Sequence, residues 1–139
     1  MNWRLILLLS LFGVAMGLGI VFFLSSWVTT ILWVIIIVLS GYAIAKRCVR
    51  LRFLSGLLVG LLDCLLDTTV KVTFFHAYVV RYAGEIELIH QFMPAMSVRR
   101  LMALTSPALG LIWGVAIGLV ALLIGVFLKP APPPMDVAA

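Results

Sequence analysis

Asp63, Asp67 and Lys71 lie at four-residue spacing on what reads as one helix, inside a stretch apolar enough to cross a bilayer. Charge is costly in hydrocarbon, so ionisable groups there face protein or water and mark proton relays, ion paths or interhelical hydrogen bonds. Spacing by one turn puts all three on a single face, and an acid N-terminal to a lysine is the favourable order for a helical ion pair. Asp67 and Lys71 therefore read as a supporting pair. Asp63 has no cation of its own on the helix, so it carries a proton or finds a donor such as Thr68, Thr69 or a group on a neighbouring helix. A protonatable carboxyl on a polar stripe suits a proton- or cation-coupled path, and Asp63, Asp67 and Lys71 are read as such a pathway. The competing reading makes the acids interhelical hydrogen-bonding glue.

The elements that carry these residues follow from composition. In 139 residues, 65% are hydrophobic and mean hydropathy is +1.27, far above the roughly 45–50% apolar usage of soluble domains. Each crossing takes about 20 apolar residues, so residues 1–129 are read as one all-α transmembrane domain with spans at about 5–25, 28–45, 53–80 and 107–128. Residues 130–139 carry Pro130, Pro132, Pro133 and Pro134 and read as a disordered, extended tail. The first run resembles a signal peptide around Ala15-Met16-Gly17, but it stays apolar past that point and reads as a retained helix. A tight turn around Trp27 joins it to the second span as an antiparallel hairpin.

The third span extends the stripe: Gly56, Gly60, Asp63, Asp67, Lys71, Phe74, Tyr78, Arg81 and Glu85 share a face at about 100° per residue. If that helix enters the bilayer at Phe53, a rise of about 1.5 Å per residue sets Asp63 about 15 Å deep, near the middle of a core about 30 Å thick. Between Arg81 and Thr105 the pattern is interrupted by Gly84 and Pro94. Residues 85–93 and 97–104 read as short interfacial helices. Ser106 and Pro107 read as the cap and first residue of the last span.

Ser106, Gly110, Gly114 and Gly118 form a ladder of small residues at four-residue spacing, echoed by Gly13 with Gly17 and Gly56 with Gly60. Such ladders let helix backbones approach closely, either within a small bundle or between copies in a homo-oligomer.

The net charge of +5 does not indicate nucleic acid, because the cations flank hydrophobic runs, where they set orientation and meet anionic lipid headgroups. Lys46, Arg47, Arg50 and Arg52 form the densest basic stretch and, by the positive-inside rule, face the cytoplasm of an inner (plasma) membrane together with Arg4 and the N-terminus. Arg81, Arg99 and Arg100 then fall outside; a three-span alternative, with the third segment in the cytoplasmic interface, would bring them in. Cys48 and Cys64 match no disulfide or metal motif. His76 and His90 form no matched pair for haem, Glu85, Glu87 and His90 make no recognisable metal site, and no catalytic spacing is present. No cofactor, metal or enzymatic activity is therefore expected. What remains is a four-helix membrane bundle, a component of a homo-oligomer or larger membrane complex. It is either an ion- or proton-coupled transporter or channel component, or a non-catalytic accessory subunit.

Overall fold

The computed structural model describes residues 3–48 and 51–128; the Pro-rich tail at 130–139 lies outside the described residues, as do Val49, Arg50 and Lys129. Among the described residues there are six helices and no strand: α1 (Trp3–Phe22), α2 (Ser26–Arg47), α3 (Arg52–Thr73), α4 (Phe75–Arg81), α5 (Ala83–Phe92) and α6 (Val98–Phe127). Four of them, α1, α2, α3 and α6, are long and apolar enough to cross a membrane. Their outer faces carry exposed Leu7, Leu8, Ile31, Leu123 and Val126, side chains that lipid and not water solvates. The chain is a small multi-pass helical membrane protein.

Packing centres on α3, which lies against α1 on one side and α6 on the other, while α2 packs on α6. The register is set by small residues. An added Cβ on Gly60 would collide with the Gly114 backbone, one on Gly56 would meet the Gly118 amide nitrogen at 2.5 Å, and one on Gly114 would meet the Leu57 carbonyl at 2.6 Å. The α3–α6 pair is thus antiparallel, stepping in fours along both chains. The ladder from Ser106 to Gly118 is buried and packs against α3 within the chain. On the other flank α1 runs parallel to α3: Gly13 abuts the Asp63 backbone, and Gly17 abuts Val70 and the Asp67 carbonyl.

The third span is shorter than the expected 53–80. It stops at Thr73, where Phe74 takes φ −97° and ψ 35°, and a second break at Tyr82 divides α4 from α5. Neither residue is Gly or Pro. Thr69 and Thr73 turn their hydroxyls back onto the Leu65 and Thr69 carbonyls, an arrangement that bends helices, and the Phe74 ring docks edge-on against Phe22 at 5.5 Å. The bend carries α4 and α5 over the turn between α1 and α2. There Arg81 donates to the carbonyls of Phe22 and Leu24, the Tyr82 hydroxyl donates to Leu24, and the Ser26 hydroxyl donates to Glu85. Carbonyls at a helix end lack intrahelical donors, and these contacts supply them.

The last span also differs from expectation. It begins at Val98, so residues 97–104 are its first turns and not a separate helix, and Pro107 sits inside it. Ser106 does not cap; its hydroxyl donates across to the Cys64 carbonyl at 3.0 Å. Pro107 removes only the amide that Ala103 would have accepted, and the Thr105 hydroxyl bonds back to the Leu101 carbonyl at 2.9 Å. Arg99 over the Phe75 ring, 4.7 Å from its centroid, ties this extension to α4. Thirty residues rise about 45 Å, more than a bilayer core of about 30 Å, so the Arg99 end projects into headgroups.

Candidate functional site

α3 presents its charged residues where its neighbours change character. Below Asp63, toward the basic stretch, the helices meet through glycine and a dry cluster that includes Ile6, Ile44, Val59 and Ile117. Above it, at the α4–α5 end, they separate around polar groups.

Lys71 Nζ lies 2.6 Å from Asp67 Oδ2, with the side chains 16% and 8% exposed. The pair expected from spacing is therefore formed. The other carboxylate oxygen, Asp67 Oδ1, is buried with no hydrogen-bond partner in the protein. Asp67 lines a cavity of about 240 Å³ together with Lys71, Thr68, Tyr78, Trp33 and Trp113. One wall is a hydrogen-bond relay in which the Thr68 hydroxyl donates to Ser106 Oγ at 2.9 Å and Ser106 donates on to the Cys64 carbonyl. Another is a stacked pair, Trp33 and Trp113, with ring centroids 5.9 Å apart and planes 10° from parallel.

Two further recesses continue outward. A cavity of about 200 Å³ shares Trp33, Lys71 and Tyr78 with the first and reaches Ser26, Thr29 and Glu85. A recess of about 440 Å³ shares Ser26, Tyr82 and Glu85 with the second. The three form a polar series from the α1–α2 turn down to Asp67. Burial, followed by the charges of Glu85, Tyr82 and Asp67, pushes the Tyr78 phenol up to about 12, so at ordinary pH its hydroxyl is a neutral donor.

Asp63 lies apart from this series. It is 0% exposed and lines none of the three cavities. Its Oδ1 accepts from the Gly13 amide at 3.1 Å, a donor in the interior of α1, while Oδ2 has no protein partner. The donor is neither Thr68 nor Thr69: Thr68 serves Ser106, and Thr69 bonds its own helix. Gly13 and Gly17 have a role that spacing alone leaves open. Lacking Cβ atoms, they let the α1 backbone reach the two acids, and both keep the same four-residue step as Asp63 and Asp67.

The stripe beyond α3 divides at the bend. Phe74, Arg81 and Glu85 serve the α1–α2 turn, and Tyr78 alone returns to the Asp67 cavity. Trp33, Trp113 and Thr68 belong to the site yet carry no one-helix signal, because only the parallel pairing of α2 with α6 stacks the two indoles. His76 and His90 are exposed on separate helices, and among the described residues no cluster of His, Cys, Asp and Glu is assembled. No family model, curated sequence or solved structure matches the chain.

Proposed function

We propose that this protein is a small ion- or proton-coupled transporter or channel component, entered from the end where α4 and α5 cover the bundle. The observation that carries the reading is the Asp67–Lys71 pair beside the innermost of three recesses that share lining residues, with one buried carboxylate oxygen that has no partner in the protein. Polar groups at that depth are costly unless used. Asp63, one turn deeper and walled off, is the proton-accepting group of this scheme, and the glycine-packed half is its closed gate. By the positive-inside rule, Arg4, Lys46, Arg47, Arg50, Arg52 and Lys129 outweigh Arg81, Arg99 and Arg100, so the N-terminus is cytoplasmic and the recesses open on the opposite face of a plasma membrane.

Reconstitution into liposomes tests it: proton or cation flux is present in the native chain and lost in Asp63→Asn, with the fold intact by circular dichroism. Unchanged flux in Asp63→Asn would overturn the reading. One contact favours the rival function of an accessory subunit in a larger membrane complex, namely the Gly13–Asp63 hydrogen bond, which uses the acid to hold α1 on α3. Under that reading the native chain conducts nothing and copurifies with a larger partner.

A further inference from the structure

We infer that the cavity between α3 and α6 at Asp67 and Lys71 is a binding site for a small zwitterion of the α-amino-acid class. The inference rests on the reading of the recesses as a cargo path and names the cargo.

The hydrogen-bond inventory selects the ligand. A lysine ammonium has three donors and an ionised carboxylate two acceptor oxygens; the 2.6 Å pair engages one of each. Asp67 lines the cavity with a carboxylate that keeps one unpaired acceptor oxygen, Oδ1, buried on a side chain 8% exposed. The other Lys71 N–H groups and the Tyr78 hydroxyl remain as donors on the same wall. Thr68 donates to Ser106, which leaves its own oxygen free to accept. The site thus sets acceptors beside donors, and a ligand carrying an ammonium next to a carboxylate satisfies both.

Charge excludes the simpler ligands. A bare cation approaching Asp67 meets the Lys71 ammonium, and a bare anion approaching Lys71 meets the Asp67 carboxylate. The pair is net neutral, so a net-neutral ligand adds no uncompensated charge to a low-dielectric site. The remaining walls are apolar, from Trp33, Trp113, Leu109 and Met102, and they accept an aliphatic side chain. About 240 Å³ is ample for it, since a cavity of about 150 Å³ holds benzene.

Binding to the full chain in phosphatidylethanolamine–phosphatidylglycerol nanodiscs, read by intrinsic tryptophan fluorescence and by calorimetry, tests the assignment. The probes are L-leucine, 3-methylbutylamine, which lacks the carboxylate, and 4-methylpentanoate, which lacks the ammonium. Leucine binds saturably and at least tenfold tighter than either analogue, and Lys71→Met removes that preference. An amine or a carboxylate that binds as tightly as leucine overturns the inference in favour of a cation or an anion site. Absence of leucine binding overturns it in favour of a wet cavity. The analogue series on the native chain decides without any variant having to fold. Because binding is measured without flux, leucine binding in a chain that moves nothing would remove only the transport reading. Flux without leucine binding would remove only this one.

Discussion

The two halves of the α3–α6 contact keep one register and do opposite things with it. Toward the basic stretch the rungs include glycine against glycine, at Gly60 with Gly114 and Gly56 with Gly118, and glycine against the Phe53 and Arg52 side chains at Gly118 and Gly125. Toward α4 the rung is Thr68 hydroxyl to Ser106 hydroxyl, and the stacked pair of Trp33 and Trp113 stands beside it. Glycine gives backbone contact and dispersion, the main source of helix association in lipid, and leaves no space. Hydroxyl and indole side chains from α3, α6 and α2 instead border the recess at Asp67 and Lys71. The Asp67–Lys71 ion pair sits where this change occurs.

The most severe break of that contrast comes from the recess side. Asp67→Ala strips Lys71 of its partner, and loss of one member of a buried pair costs about 3 kcal/mol; thermal unfolding in detergent should show it, and adding Lys71→Met should restore most of the loss. On the dry side Gly60→Ala forces the Gly114 backbone away at about 2 kcal/mol. Gly84→Ala, with nothing within 4 Å of the new Cβ, should change the midpoint by no more than about 0.5 kcal/mol. Equal effects at both glycines would show that the Gly60–Gly114 contact is not the close approach described.

A finer test is the hydroxyl rung. Ser106→Ala deletes two hydrogen bonds between α3 and α6, each worth about 0.6 kcal/mol in a membrane bundle, for a loss of about 1 kcal/mol. The smallest effect concerns Tyr78, whose phenol is raised from 10.0 to about 12. Its proton leaves the unfolded chain first, so its contribution is complete below about pH 10 and fades as pH rises toward 12. Tyr78→Phe should flatten the alkaline decline in midpoint over that window, and an unaltered decline would show that the phenol faces solvent.

Much of this was legible in the residues, because membrane helices announce themselves by length and apolarity, and a four-residue spacing fixes a face. The Asp67–Lys71 pair, the inward turn of the stripe from Gly56 to Asp67 and the close glycine contacts all follow from that. The bend at Phe74 was not legible: it coincides with the Thr73 back-bond and the contact of Phe74 with the Phe22 ring, neither of which a periodicity carries. Pro107 misled for a related reason, since a proline tolerated inside a helix has the same one-letter signature as one that opens it. The stacked tryptophans needed the helix order in space, which no single segment contains. Asp63 found a main-chain donor, and a search among side-chain hydroxyls cannot see that.

The clasp at the α1–α2 turn has a consequence for biogenesis. Arg81 follows Leu24 in the chain by 57 residues, so the first hairpin leaves the ribosome and enters the lipid well before the groups that satisfy its loop exist. Until then the Phe22 and Leu24 carbonyls rely on water and headgroups at the bilayer surface. The first two helices therefore insert without those contacts, and residues 81–85 fasten the loop before α6 arrives to pack on α3 and α2.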